Sequence, residues 1–101
     1  MAKKSFNDII NSDKPVLVDF YADWCGPCQA LAPVLQEVKS EIGDKGSIVK
    51  INVDKNPQLS GALGVKSIPA LFLFKNGEVK WKALGWKSKE ELVSTFETHY
   101  E

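Results

Sequence analysis

The chain of 101 residues contains two cysteines, Cys25 and Cys28, with only a glycine and a proline between them. Thiols at this spacing can form a structural disulfide, supply part of a metal site or act as a reversible redox pair. These three uses require different surroundings, so the rest of the sequence discriminates between them.

A metal site lacks ligands within this chain. Structural zinc needs a tetrahedral set of nitrogen or sulfur ligands, and besides the cysteines the sequence offers a single histidine, His99. A site shared between two chains stays open. A purely structural disulfide is weakly supported, because so short a loop constrains the unfolded chain very little. A domain of this size also buries roughly two-thirds of its unfolded surface without such help.

The position of the pair along the chain favours redox chemistry. The apolar run PVLVDFYA predicts a strand, and Cys25 follows its carboxyl end, where ligands bind in open α/β sheets. Cys25 also opens the next helix, whose unpaired N–H groups and dipole stabilise a thiolate. Cys28 lies one turn further, on the apolar side of that helix. We therefore expect Cys25 to be the exposed, attacking thiol and Cys28 to be shielded.

Strands and helices alternate around the pair. Strands are predicted at PVLVDFYA, SIVKINV and ALFLF, and the first two are apolar on nearly both faces, as in central strands of a parallel sheet. Between those two, apolar residues at three- and four-residue steps predict a helix that ends near Gly43; they are Cys28, Leu31, Leu35, Val38 and Ile42. Strand, helix and strand together form a βαβ unit.

The second half of the chain predicts a short helix, a hairpin and a closing helix. Pro57 suits the first position of the short helix. Asn76-Gly77 supplies the two positive φ angles of a type I′ turn between ALFLF and EVKWKAL. Ser88 and Glu91 predict a capping box for the closing helix. Three residues of that helix fall on one apolar face: Leu92, Phe96 and Tyr100.

Several motifs resemble the thioredoxin family in order and spacing over almost the whole chain: WCGPC with its strand and helix, DKNP, SIPALFLFKNGEV and the glycine of ALGW. The resemblance implies a thioredoxin fold as a single domain over residues 1–101, with three layers, α/β/α, around a central mixed β-sheet. The family's first strand must be very short or missing, because only Met1 to Ser5 precede the first predicted helix. The implied activity is protein disulfide reduction, in which Cys25 and Cys28 alternate between dithiol and disulfide.

Two charged residues interrupt the predicted strands, Asp19 in VLVDFYA and Lys50 in IVKINV. Burying either charge alone is unfavourable, so each needs a partner or must reach water at the end of the sheet. By resemblance, Asp19 is the buried acid that accepts the proton of Cys28, and Lys50 is the lysine that accompanies it. Burial favours neutral Asp19 and a nearby ammonium favours the carboxylate, and the sequence does not decide between these effects.

The resemblance also implies a shallow apolar groove around the disulfide. Pro69 is expected to be a cis-proline that faces the cysteines, with the backbone of Ile68 free to pair with an extended substrate segment. Further positions match the family's groove: Trp24, Gly26, Pro27, Val53, Ser67, Leu84 and Gly85. For Val53, Ile68 and Leu84, ordinary packing explains the residue equally well.

Four residues depart from the commonest family pattern. Gln29 replaces a lysine, Tyr21 a tryptophan, Ala70 a threonine and Trp86 a small residue. Two rival functions stay open. One is a disulfide oxidase or isomerase, although those relatives usually carry a histidine between the cysteines. The other is a non-catalytic module that holds a partner in the groove.

Charge and composition limit the partners. Lys+Arg and Asp+Glu number 13 each, so no net positive field attracts nucleic acid or an anionic membrane. No apolar segment has the length of a signal-peptide core or of a membrane span. We therefore expect a cytoplasmic monomer that acts on disulfide-containing substrate proteins, with a thioredoxin reductase as the electron donor implied by the resemblance. No phosphate-binding glycine loop is evident, and we expect no cofactor and no metal.

Overall fold

The computed structural model describes residues 5–100, and its central layer is a sheet of four strands. These are β1 (Val16–Tyr21), β2 (Ser47–Asn52), β3 (Ala70–Lys75) and β4 (Glu78–Leu84), in the order β2-β1-β3-β4. β1 pairs parallel with β2 and antiparallel with β3, and β3 pairs antiparallel with β4. The sheet is therefore mixed, as the resemblance implied.

Helices cover both faces of the sheet. They are α1 (Phe6–Ile10), α2 (Gly26–Ile42), α3 (Pro57–Ala62) and α4 (Lys89–His99), and a 3₁₀ turn (Gly43–Lys45) follows α2. The core on one face joins Leu17 of β1 to apolar residues of α2 and α4. The core on the other face joins Val18 of β1 to residues of α1 and α3. The expected arrangement of three layers, α/β/α, is confirmed.

The two parallel strands differ in burial. β1 is buried on both faces, as expected, because successive side chains alternate between the two helix layers. β2 lies at the edge of the described sheet and is largely half-exposed or exposed. Within residues 5–100, β2 is therefore an edge strand and not the central strand that its composition predicts. Its apolar composition resembles that of β1, but β1 is its one strand partner among residues 5–100.

The apolar stripe of α2 behaves as its spacing predicts. Cys28, Leu31, Leu35, Val38 and Ile42 are all buried, and the helix ends at Ile42 with Gly43 as its C-cap. This stripe packs on the sheet, so the helix is held along its length. Its first turn, which contains Gly26 and Pro27, is exposed at the carboxyl end of β1.

The hairpin turn between β3 and β4 forms as expected, with φ angles of 54° at Asn76 and 81° at Gly77. The capping box of α4 is only half present, because Ser88 accepts the N–H of Glu91 without the reciprocal bond. Tyr100 does not extend the apolar face, since α4 ends at His99 and Tyr100 is exposed.

We expect a first strand that is very short or missing, and within residues 5–100 only Ser5 precedes α1. The part of that expectation that falls on residues 1–4 lies outside the described residues. Over the same described range, no helix is long and apolar enough to cross a membrane.

Candidate active site

The two cysteines form a disulfide at the N-terminus of α2, with their Cα atoms 5.2 Å apart. Cys25 is the N-cap of the helix, and its Sγ accepts a hydrogen bond from the backbone N–H of Cys28 at 3.2 Å. Its own N–H donates to the carbonyl of Ala22 at 3.2 Å, which turns the chain from β1 into the helix. Pro27 is accommodated because the first helical turn has no partners for its N–H groups.

Cys25 and Cys28 are equally buried, each with 4% of its surface exposed. The expectation of an exposed Cys25 beside a shielded Cys28 is therefore wrong for the disulfide form. The reason is local packing: Ala22 is buried with the pair, and three partly buried side chains pack against it, namely Tyr21, Val53 and Ile68. The two sulfurs differ in their place on the helix, because Cys25 caps it and Cys28 lies within it.

The loop before β3 lies against the cysteines. The Ile68-Pro69 peptide bond is cis, as expected, and Pro69 is buried. Gly85, just after β4, donates its N–H to the carbonyl of Pro69 at 2.8 Å. Its φ of 84° lies in the region that favours glycine. Ile68 thus packs against the cysteine cluster, and a backbone hydrogen bond ties its neighbour Pro69 to the residue after β4.

Large apolar side chains directly before Cys25 and on either side of Gly85 are exposed. Trp24 is 71% exposed, Leu84 62% and Trp86 50%. The indole of Trp24 is oriented by a hydrogen bond in which its Nε1 donates to Oδ2 of Asp54 at 2.9 Å. Sequence reasoning gave Asp54 no role. The signal that could have indicated a role is the position of Asp54 just after the carboxyl end of β2, close to the residues that follow β1.

Asp19 lies beneath α2 and is completely buried. Asp19 lies two residues after Leu17 on β1, so the two side chains point to the same face of the sheet. Leu17 belongs to the core that packs against α2. Neither carboxyl oxygen has a hydrogen-bond partner among the described residues. Desolvation raises the pKa of Asp19 from its ordinary 3.8 to about 6, and the charge of Lys50 limits the rise. Burial therefore outweighs the ammonium, which answers the question that the sequence left open.

Lys50 reaches the surface. It pairs with Asp19 in the register of β1 and β2, yet its side chain is exposed. Its Nζ lies 4.7 Å from the centroid of the Tyr21 ring. Of the two charged strand residues, Lys50 therefore meets water and Asp19 does not.

A cleft of about 270 Å³ opens beside Cys28. Its walls come from the end of β1, the start of α2 and β2: Tyr21, Ala22, Asp23, Cys28, Gln29, Ala32 and Lys50. Gln29 helps to shape it by donating Nε2 to the carbonyl of Asp23 at 2.8 Å. Within residues 5–100, no group of three or more His, Cys, Asp or Glu side chains is placed to hold a metal ion.

Fold and site together define a thiol-disulfide oxidoreductase. The family model for thioredoxin matches residues 1–98. A thioredoxin of Bacillus subtilis is 50% identical over 88 residues, which cover 87% of this chain and 85% of that protein. A thioredoxin of Rickettsia typhi is 46% identical over 87 residues, which cover 86% of this chain and 83% of that protein.

Comparison with solved structures also indicates a thioredoxin fold. The structure of a mutant thioredoxin from Halobacterium salinarum NRC-1 matches with a TM-score of 0.87 at 36% identity, covering 99% of this chain and 87% of that one. The chain belongs to the thioredoxin family. Its relatives and its cysteine pair make it a protein-disulfide oxidoreductase.

Proposed function

We propose that this protein reduces disulfides of substrate proteins through Cys25 and Cys28. One observation carries the proposal: Cys25 Sγ accepts the N–H of Cys28 at the N-terminus of α2. In the reduced protein, the same N–H and the helix dipole stabilise a thiolate on Cys25. The uncharged Gly26 and Pro27 between the cysteines support a reducing pair rather than an oxidising one.

The reaction begins when the Cys25 thiolate attacks one sulfur of a substrate disulfide. The substrate S–S bond breaks, one substrate sulfur leaves as a thiolate, and a mixed disulfide joins the other to Cys25. Cys28 then gives its proton to the Asp19 carboxylate and attacks the sulfur of Cys25. The second substrate thiolate leaves, and the Cys25–Cys28 disulfide remains.

Asp19 is supported as the proton acceptor by its position and its state. It lies on the face of β1 that α2 covers, and both of its oxygens are free of hydrogen bonds from the described residues. Because burial raises its pKa to about 6, the group is a carboxylate at neutral pH and still a competent base. Lys50 supplies a positive charge that favours the carboxylate form of this buried group.

The substrate surface that we propose is the groove around the disulfide. An extended substrate segment pairs with the backbone of Ile68 beside Pro69, and Gly26 and Pro27 form the opposite edge. Gly85 leaves room for that segment, because the space where its Cβ would lie is open. Trp24 provides an exposed apolar contact whose orientation Asp54 fixes. Trp86, exposed just after Gly85, contributes to the choice of partner.

The electron donor that we propose is a thioredoxin reductase, which would return the disulfide to the dithiol. Relatives of this family support a reductase partner and disulfide substrates in general. The cytoplasmic location, the monomeric state and the single domain over residues 1–101 stay predictions.

The proposal is tested by reduction of insulin with a thioredoxin reductase and its nicotinamide donor. Cofactor oxidation and insulin precipitation should both depend on the concentration of this protein. The double variant Cys25→Ser, Cys28→Ser is the control and should give only the background rate. Activity of the unchanged protein at that background rate would overturn the proposal and favour a binding module.

A further inference from the structure

Lys50 has an aromatic neighbour as well as an acidic one. Its Nζ lies 4.7 Å from the ring centroid of Tyr21, within the distance at which an ammonium is attracted to an aromatic ring. Among residues 5–100, no carboxylate lies within ion-pair distance of this ammonium. The ring is therefore the group in direct contact with the charge.

Strand geometry places the three side chains on one face. Asp19 and Tyr21 are two residues apart on β1, and Lys50 is the β2 partner of Asp19. Lys50 and Tyr21 are thus diagonal neighbours across the parallel pair, a separation that long side chains and rings can span. Tyr21 and Lys50 both line the cleft beside Cys28, while Asp19 lies buried beneath α2.

A lysine side chain at an exposed strand position has no steric reason to stay near the sheet. Its ammonium is strongly hydrated, and its long stem loses entropy when held in one place. A fixed contact is needed to keep the charge beside the cleft.

We propose that Tyr21 is a positioning residue for the reaction: its ring holds the Lys50 ammonium at the cleft beside Cys28, where the positive charge acts on the Asp19 carboxyl. The inference rests on the proposed role of Asp19 as the proton acceptor. The Tyr21 ring also packs against the cluster of Ala22, Cys25 and Cys28, but the positioning role is exerted through Lys50.

The electrostatics agree with this arrangement. Lys50 lowers the pKa of Asp19 against the larger opposing effect of burial. The charged and titratable groups that face the same region come from β1, the loop after it, α2 and β2: Asp19, Tyr21, Asp23, Cys28, Lys39 and Lys50. Lys39 makes its hydrogen bonds elsewhere, because its Nζ donates to the carbonyls of Gly43 and Gly46.

Loss of the ring should release Lys50 to water and weaken its effect on Asp19. In Tyr21→Leu, the titration midpoint of Asp19 should move upward, in the same direction as in Lys50→Met and by no more than it moves there. Tyr21→Phe and Tyr21→Trp retain a ring and should keep the midpoint of the unchanged protein. Tyr21→Met is a second ring-free variant, should Tyr21→Leu not fold.

The experiment follows the Asp19 carboxyl carbon by ¹³C NMR against pH in the oxidised protein, together with the pH profile of insulin reduction. Each Tyr21 variant is made with Lys50 present and in a Lys50→Met background. With Lys50 present, we expect the ring-free variants to shift both the NMR midpoint and the acid limb of the rate profile. In the Lys50→Met background, the same substitutions should cause no further shift. Lys45→Met, which removes an exposed lysine elsewhere, is the control for charge.

An equal shift with and without Lys50, or no shift when Lys50 is present, would overturn the positioning role. A shift of the NMR midpoint that the rate profile does not follow would support the coupling of Tyr21 to Lys50 and overturn the catalytic role of Asp19. The failure of one proposal is therefore distinguishable from that of the other.

Discussion

Asp19 and Lys50 are register partners on neighbouring parallel strands, yet the carboxyl is completely buried and the ammonium is exposed. Only one of the two charges loses its hydration, so the desolvation cost falls on Asp19. The lysine remains close enough to lower the pKa of Asp19 without cancelling the effect of burial. The core therefore contains a carboxyl group whose pKa is about 6, and burying its charged form lowers the stability of the fold.

That cost should depend on pH. Folding raises the pKa of Asp19 from 3.8 to about 6, so the folded protein binds this proton more tightly than the unfolded chain does. Stability should therefore fall as pH rises from about 4 to about 6 and stay lower above that range, by about 3 kcal/mol in total. Asp19→Asn removes this dependence. Urea unfolding of both oxidised proteins at several pH values measures it.

The difference in the free energy of unfolding between Asp19→Asn and the unchanged protein removes the contributions of all other titrating groups. We expect the variant to gain relative stability as pH rises through this window. Asp44→Asn, at an exposed position, serves as the matched control and should show no such trend. A difference that stays constant with pH would mean that Asp19 titrates normally.

Asp19→Asn should also slow the resolution of mixed disulfides. Loss of a positioned base costs on the order of 100-fold in the proton-transfer step. The defect should shrink at high pH, where Cys28 ionises without help. Insulin reduction is measured from about pH 6 to 8. Unchanged turnover over that interval would remove Asp19 from the mechanism.

Trp24 should contribute to binding of protein substrates and not to the sulfur chemistry. Trp24→Ala deletes an exposed ring of the proposed substrate groove, and we expect KM for insulin to rise by about fivefold or more, as for a binding hot spot. Reduction of a small disulfide should be nearly unaffected. Tyr100→Ala removes another exposed aromatic side chain and is the control. Equal defects toward insulin and the small disulfide would contradict a binding role.

Gly46 and Gly61 should respond oppositely to alanine. A Cβ at Gly46 would lie 2.6 Å from Cε1 of Phe96 and 2.7 Å from the carbonyl oxygen of Pro15, so Gly46→Ala should destabilise the protein by about 1–3 kcal/mol. Gly61 lies in α3 with open space around its Cβ position. Gly61→Ala should raise stability by about 0.5–1 kcal/mol. Urea unfolding compares the two, and equal effects would refute this packing.

Features set by neighbouring residues could be predicted from the sequence. The stripe of α2, its end at Gly43 and the turn at Asn76-Gly77 follow from periodicity and local backbone preference. The family resemblance supplied the three-layer order and the cis-proline, which no local pattern contains.

Features set by distant contacts could not be predicted in the same way. The edge position of β2 depends on which strands lie beside it, and composition alone does not reveal that. The burial of Cys25 depends on side chains that pack against it, including Val53 and Ile68. The hydrogen bond between Trp24 and Asp54 joins residues 30 positions apart. Each of these required the folded chain.

The most direct test of the central claim is a trapping experiment with Cys28→Ser. Reduced variant is incubated with insulin, quenched with an alkylating agent and analysed by intact mass and peptide mapping. We expect a covalent complex in which Cys25 is joined to an insulin cysteine, because the thiol that would resolve it is missing. Cys25→Ser, which retains Cys28, should yield little of this complex. Absence of a Cys25-linked complex, or equal trapping by both variants, would contradict attack by Cys25 followed by resolution through Cys28.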